Sequence, residues 1–137
     1  KSGAKQPGMT GQVKEEIITR MGELGCFVKD GYLTFQPTLL RKSEFLTEER
    51  GFTYYNVSNE KSHMDLQTDE LGYSYCQVPI IYHLSEKDWL LNIHFTDGKV
   101  EKIKGNKVTK SVSESIFHRN GLIKEVLVEI PVKNIIF

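Results

Sequence analysis

The chain shows its clearest alternation of apolar and polar positions between residues 88 and 131. Large apolar side chains occupy every second position of one segment, Trp89, Leu91, Ile93 and Phe95, with Leu90, Asn92 and His94 between them. Because side chains of an extended chain point alternately to opposite faces, this pattern predicts a half-buried β-strand. Asp97-Gly98 follows, a dipeptide typical of tight hairpin turns, and Val100 and Ile103 then supply a returning strand.

A further strand is predicted at the end of this region. Gly105-Asn106 and Asn120-Gly121 are turn signals, and the residues from Leu122 to Pro131 alternate again between apolar and polar. Glu125 and Glu129 share one side of that strand. The region therefore predicts strands that fold back on one another through short turns.

A different spacing occurs between residues 10 and 24. Apolar side chains recur there at helical intervals: Val13, Ile17, Met21 and Leu24, with Ile18 beside them. Thr10 is a suitable N-cap, and Gly25 stands where helices commonly end in the left-handed conformation. We predict one amphipathic helix over residues 10–24, preceded by a flexible N-terminal segment, residues 1–9.

Residues 26–35 have the pattern of a β-hairpin. The turn dipeptide Asp30-Gly31 separates two apolar stretches, and Pro37 ends the second. Further strands are predicted at 52–57, 64–66 and 73–84. Within the last of these, Pro79 implies an edge position, a bulge or a junction between two strands. The apolar pairs between residues 38 and 46 fit either a short helical turn or a loop.

One helix followed by about eight strands, without strand–helix–strand alternation, predicts a mainly β protein, an antiparallel β-sandwich. We expect residues 10–137 to form a single domain, because a chain of 137 residues suits one hydrophobic core. The three large apolar residues at positions 135–137 are expected to dock on the body of that domain.

The charge balance narrows the range of partners. Eighteen basic residues match eighteen acidic ones, so no net field attracts a nucleic acid or an anionic membrane surface. No apolar run approaches the roughly 20 residues that span a bilayer. We therefore expect no nucleic-acid partner and no membrane span.

The two cysteines, Cys26 and Cys76, stand in unrelated segments. We expect buried thiols in strands, and a disulfide between them is the alternative in an oxidising compartment. Their spacing indicates neither a zinc site nor a redox pair, and the four histidines show no metal-binding spacing. No metal site and no cofactor is predicted.

No residue pattern predicts catalytic machinery. The chain has neither a nucleophile elbow nor a metalloprotease signature. Glu15 and Glu16 at the start of the predicted helix are expected to be solvated instead of acting as acid or base. An enzyme would require a cleft in which two of Glu15, Asp65, His83 and His94 converge, and we rank this hypothesis last.

The aromatic residues are the set most indicative of binding: Tyr32, Tyr54, Tyr55, Tyr73, Tyr75, Tyr82 and Trp89. Carbohydrate sites place aromatic faces against sugar C–H groups and polar side chains against hydroxyls. Tyr73 and Tyr75 would share one face of a strand, and we take both, with Trp89, as candidate carbohydrate-binding residues. Packing in the core or at its rim is the alternative for each of them.

The segment that follows the predicted helix resembles a junction known from one enzyme group. Gly25 is followed by Cys26-Phe27-Val28-Lys29-Asp30-Gly31-Tyr32-Leu33-Thr34-Phe35 and then by Gln36-Pro37-Thr38-Leu39-Leu40. This order resembles the point at which, in glycoside hydrolases and glycoside phosphorylases of the six-hairpin (α/α)-barrel type, the last barrel helix leads into a C-terminal β-sandwich. The catalytic carboxylates of that family lie in the barrel, upstream of this segment.

The resemblance implies a non-catalytic accessory β-domain that packs against the catalytic domain of the same parent chain. It also makes carbohydrate a candidate ligand and favours an extracellular or periplasmic location. The chain begins at Lys1 without methionine, which fits a mature product or a fragment of a longer protein, and we favour the fragment. The alternative is a free-standing glycan- or protein-binding β-sandwich module.

Overall fold

The structure, a computed structural model, describes residues 24–37, 45, 50–67 and 69–135. The strands in this part of the chain are β1 (Cys26–Lys29), β2 (Tyr32–Phe35), β3 (Arg50–Tyr55), β4 (Lys61–Leu66), β5 (Glu70–Tyr75), β6 (Val78–Ser85), β7 (Leu90–Phe95), β8 (Val100–Lys104) and β9 (Ile123–Pro131). One α-helix, α1 (Lys110–Phe117), precedes β9, and a 3-10 turn (Val132–Asn134) follows it. The protein is therefore mainly β, as the alternation predicts.

A five-stranded sheet lies at the centre of the described chain, in the strand order β5-β6-β9-β7-β8. β6 and β9 run parallel, with Ile80 opposite Val126, and the other neighbours in this sheet are antiparallel. β1 with β2, and β3 with β4, form separate antiparallel hairpins. The prediction of a purely antiparallel arrangement is wrong at this one pair, because β9 enters the sheet between β6 and β7.

The connection that leads into β9 contains α1, a helix that the sequence pattern did not predict. The Thr109 side chain caps it by accepting a hydrogen bond from the Val112 N–H. Val112 and Ile116 are buried, and the helix packs against β2 and β9. Eight residues rich in serine form a weak helix on their own, so this packing stabilises α1. The helix connects β8 to β9, a strand–helix–strand unit that the sequence analysis did not expect.

One face of the central sheet, called the front face, carries the main hydrophobic core. Its residues include Tyr73, Ile80, Tyr82, Leu91, Ile93, Val126 and Val128. The β1–β2 hairpin and α1 pack on the front face through buried residues that include Leu33, Phe35 and Ile116. Ile135 is buried in the same core, which confirms the predicted docking for this residue; positions 136–137 lie outside the described residues.

Two tyrosine hydroxyls anchor the beginning of the described chain inside this core. The Tyr73 hydroxyl donates to the Tyr82 hydroxyl over 2.8 Å, and Tyr82 donates to the Leu24 carbonyl over 2.6 Å. Gly25 follows with a φ of +70°, and a Cβ at this position would lie 2.3 Å from the Gln36 carbonyl carbon. The left-handed glycine expected at this position is confirmed.

Three sequence predictions concern residues that lie mostly or wholly outside the described part of the chain. These are the flexible segment 1–9, the amphipathic helix 10–24 and the undecided stretch 38–46. Leu24 is helical, and the rest of the predicted helix is not described. Phe45 is described within the third stretch, and its side chain is buried in the front-face core.

The hairpin turns follow the local turn chemistry in one case and depart from it in another. Asp30 and Gly31 have φ angles of +56° and +85°, which confirms the turn between β1 and β2. Cys76 and Gln77 also have positive φ angles, +51° and +65°, and join β5 to β6. The run predicted from residue 73 is therefore two strands, but they meet before Pro79. Pro79 is tolerated within β6 because the pairing of β6 with β9 begins one residue later.

Candidate functional site

The opposite face of the central sheet, the back face, is partly covered by the β3–β4 hairpin. Leu66 and Ile81 are buried between the two, with Tyr54 and Leu127 packed against them. A groove of about 490 Å³ opens beside the tip of this hairpin, a volume in the range of small-molecule sites. We call it the turn groove; it is lined by Tyr54, Asn56, Val57, Ser58, Ser62, His63, Gln77, Pro79, Thr96, Gly121, Ile123 and Lys124.

Gln77 connects the two walls of the turn groove. Its side-chain amide nitrogen donates to the Asn56 carbonyl over 2.7 Å and to Asn59 Oδ1 over 3.0 Å, which ties the β5–β6 turn to the β3–β4 turn. Asn56 Oδ1 accepts from the backbone N–H groups of Ser58 and Glu60. Because both turns are held by these hydrogen bonds, the polar groups at this end of the groove have fixed positions.

A β-bulge at Lys124 also lines the groove, beside the two hairpin turns. His94 pairs with Glu125, but Phe95 pairs with Ile123, so Lys124 is an extra residue without a partner on β7. A bulge of this kind re-aims side chains and is common beside functional sites. The exposed Lys124 side chain lines the groove, and the described part of the chain provides its ammonium with no carboxylate partner.

The Tyr54 side chain lines the turn groove. Burial raises the pKa of the Tyr54 phenol and the negative charge of Glu125 raises it further, whereas a hydrogen bond with Ser62 lowers it. Glu125 in turn lies 3.0 Å from His94 Nδ1. The Tyr54 hydroxyl therefore stays protonated at neutral pH, and its half-buried ring packs on the Leu66 cluster while lining the groove.

Three histidines each form a pair with a carboxylate: His63 with Asp65, His83 with Glu70 and His94 with Glu125, at 3.0, 3.1 and 3.0 Å. His83 lies opposite Glu129 of β9, whereas His94 lies opposite Glu125. Four residues of strand separate these positions, about 13 Å. His83 and His94 therefore do not converge, Asp65 is paired with His63, and the fourth residue proposed for a catalytic cleft lies outside the described residues.

The three candidate carbohydrate-binding residues do not form one site. Tyr73 has no exposed surface, so no glycan can reach its ring, and its place in the predicted site is corrected to the core. Tyr75 is half-buried against the core at the turn end of β5. Trp89 lines a small cleft of about 110 Å³ with Pro37 and Asn106. Tyr75 and Trp89 lie at opposite ends of the sheet. β5 and β7 run in the same direction, and Tyr75 is the last residue of β5 whereas Trp89 comes directly before the first residue of β7.

The aromatic residue that does line the groove is Tyr54, which the sequence analysis included in the tyrosine set without selecting it. Alternation places Tyr54 and Tyr55 on opposite faces of β3. Only the packing of the hairpin decides which of them turns towards the sheet, and Tyr55 is 60% exposed. The turn residues at Asn56 could have marked one wall, but no turn signal in the sequence marks Gln77, and the proximity of the two turns depends on the tertiary fold.

Both cysteines are free thiols. Cys26 is buried in β1, as predicted, and this burial raises its pKa to about 12. Cys76 lies in the β5–β6 turn instead of a strand, and partial burial raises its pKa as well. The expectation of two buried strand thiols therefore holds for Cys26 and is wrong for Cys76, because the hairpin turn falls at that residue.

Comparison with protein-family models and with curated proteins finds no match for the chain. Among the described residues, no group of three or more His, Cys, Asp or Glu side chains is placed to hold a metal ion. None of the helical segments in that part of the chain is long and apolar enough to cross a membrane.

Proposed function

We propose that the chain is a non-catalytic accessory β-domain of a larger carbohydrate-active enzyme, which packs against or supports the catalytic domain of that enzyme. The two hairpins, one on each face of the central sheet, would then be the outer layers of a sandwich of about eight strands. The parent protein would be a glycoside hydrolase or a glycoside phosphorylase, as the resemblance of the junction segment implies.

The observation that supports this proposal is how the junction segment is built into the core. Leu33 and Phe35 of β2 are fully buried in the front-face core. The Leu24 carbonyl at the beginning of the described chain accepts a buried hydrogen bond from Tyr82. The chain that enters the sheet at Leu24 is thus held in the core by buried contacts of its own residues, which suits a domain that supports a neighbouring domain.

Turnover assays of the purified chain test the non-catalytic role. The 137-residue chain is incubated with nitrophenyl glycosides and with oligosaccharides, with and without inorganic phosphate, and released sugar is measured. We expect no turnover above the buffer background. Turnover that disappears in a Glu70→Gln or Glu125→Gln variant, but persists in the exposed-site control Glu86→Gln, would refute the proposal.

A second candidate function is a free-standing glycan- or protein-binding module. The turn groove favours it, because amide and hydroxyl side chains from two tethered turns surround a cavity of small-molecule size. Glycan binding in the groove and the accessory role are compatible, since the groove lies at the back face whereas the junction segment packs on the front face. Binding measurements on the groove distinguish it from a purely supporting domain.

A further inference from the structure

We propose that the turn groove binds a neutral oligosaccharide, with the Tyr54 ring as the surface on which a sugar packs and with Ser58, Gln77 and Lys124 as its hydrogen-bonding partners. The inference rests on the proposed association of the chain with carbohydrate and deepens it, because it assigns the ligand to one groove. Tyr73, Tyr75 and Trp89 have no part in this site.

Several polar groups in the turn groove have hydrogen-bonding capacity that the described residues do not use. Both amide hydrogens of Gln77 are used in the tether between the turns, so its carbonyl oxygen remains an acceptor. The described part of the chain provides no partner for the Ser58 hydroxyl or the Lys124 ammonium. The groove thus offers an acceptor, a donor and a group that is both. Sugar hydroxyls match this mixture because each of them donates and accepts.

The charge of the groove lining favours a neutral ligand. None of the described residues that line the turn groove is a carboxylate, and Lys124 is its one permanently charged group. A single ammonium on the rim can donate to ring or hydroxyl oxygens. It is not the cluster of cations that typically binds a phosphate or an acidic chain. A neutral ligand that carries many oxygen atoms therefore fits the groove better than a polyanion.

The polar groups of the groove are held in place by hydrogen bonds within the protein. The Gln77 tether and the Asn56 turn hydrogen bonds hold the two walls in place before any ligand arrives. Ordering flexible side chains on binding costs affinity, and groups that are already fixed avoid this cost. Tyr54 is fixed as well, because its ring packs against the buried Leu66 cluster. Weak hydrogen bonds to sugar hydroxyls profit most from such a site.

The shape of the groove favours a sugar over a peptide. Peptide-binding grooves provide an unpaired strand edge or deep apolar pockets for side chains. The turn groove is formed by two hairpin turns and a bulge, and the aliphatic part of its lining is limited to Val57, Pro79 and Ile123. A peptide would therefore find few places to bury its side chains.

Chemical-shift mapping on the full chain tests the inference. An isotope-labelled sample is titrated with cellotriose, maltotriose, xylotriose, mannotriose and galactotriose, and separately with acetyl-trialanine amide as a peptide probe. We expect at least one trisaccharide to shift the backbone amides of Ser58, Gln77 and Gly121 together with the side-chain amide of Gln77. The peptide probe should leave these signals in place.

Variants then connect the shifts to the groove. The double variant Ser58→Ala/Lys124→Ala removes two exposed groups without partners in the described chain, so it should fold normally and weaken binding by about tenfold or more. Tyr54→Ala should abolish the shifts, and the exposed neighbour Tyr55→Ala is its matched control with unchanged binding. If Tyr54→Ala does not fold, the double variant still decides the question.

The outcomes are distinct. No shift at the groove with any trisaccharide overturns the inference, as do shifts with the peptide alone or sugar shifts confined to the Trp89 cleft. Turnover by the isolated chain would refute the accessory role and leave the binding result standing. Absence of groove binding would refute this inference and leave the accessory role standing.

Discussion

Removing the Tyr82 hydroxyl should destabilise the protein more than removing the Tyr73 hydroxyl, although both rings are fully buried and touch edge to face. Tyr82→Phe deletes the one side-chain donor among the described residues that reaches the Leu24 carbonyl, which lies in the core. Tyr73→Phe deletes a hydroxyl that donates to Tyr82, and leaves the bond to Leu24 intact. The two substitutions change volume equally, so their difference reports the groups that only Tyr82→Phe deprives of a hydrogen-bonding partner, the Leu24 carbonyl and the Tyr73 hydroxyl.

The expected magnitudes follow from the fate of each partner. A buried carbonyl left without a donor costs about 1 to 3 kcal/mol, so we expect Tyr82→Phe to lower the free energy of unfolding by about 2 kcal/mol. Tyr73→Phe loses the neutral hydrogen bond to Tyr82 and the weaker hydrogen bond with the Cys26 thiol, together about 1 kcal/mol. With about 4 °C per kcal/mol for a domain of this size, the melting temperatures should fall by about 8 and 4 °C.

Urea unfolding followed by circular dichroism and by Trp89 fluorescence measures both free energies. The double variant completes a thermodynamic cycle, and its cost should be smaller than the sum of the single costs, because Tyr73 no longer needs an acceptor once it is phenylalanine. Equal effects of the two single substitutions, or a larger effect of Tyr73→Phe, would refute the role assigned to the Leu24 carbonyl.

Three further predictions concern the cysteines and glycines. Burial raises the pKa of the Cys26 thiol to about 12, so just above pH 9 only the unfolded chain loses this proton. The stability that the buried, protonated thiol contributes below pH 9 should therefore be lost as the pH rises from about 9 to 12. The urea midpoint of Cys26→Ala should fall less steeply over this range than that of the unchanged protein. Cys76, half-buried, should react with a thiol reagent in the native protein, whereas Cys26 should react only on unfolding, which timed absorbance measurements resolve; equal rates would contradict the assigned burial. Gly25→Ala should lower the free energy of unfolding by at least about 1 kcal/mol more than Gly98→Ala, since both need a positive φ but only Gly25 would bring a Cβ against the Gln36 backbone; equal urea midpoints would contradict this.

The turn groove illustrates why a site of this kind is hard to read from a sequence. One wall has a local signal in the sequence, the turn residues at Asn56, whereas the turn at Gln77 has none, and the Asn56 signal does not indicate that the two turns meet. The hydrogen bonds between the walls join residues 18 and 21 positions apart. The tyrosines were recognised as a set, yet the choice among them depended on burial. Tyr73 lies in the core because its side of the central sheet is the front face, which the β1–β2 hairpin and α1 cover. Tyr54 lines the groove because it belongs to the hairpin that partly covers the back face.

The sequence by itself determined the mainly β character, the hairpin at Asp30-Gly31 and the left-handed glycine after Leu24. Alternation and turn chemistry are properties of consecutive residues, and they hold whatever lies opposite. Only the tertiary structure decided that β9 enters between β6 and β7, that α1 is a helix and that Tyr82 binds a carbonyl 58 residues away. Those outcomes depend on which surfaces are buried together, because burial between distant segments outweighs the weak preferences of short ones.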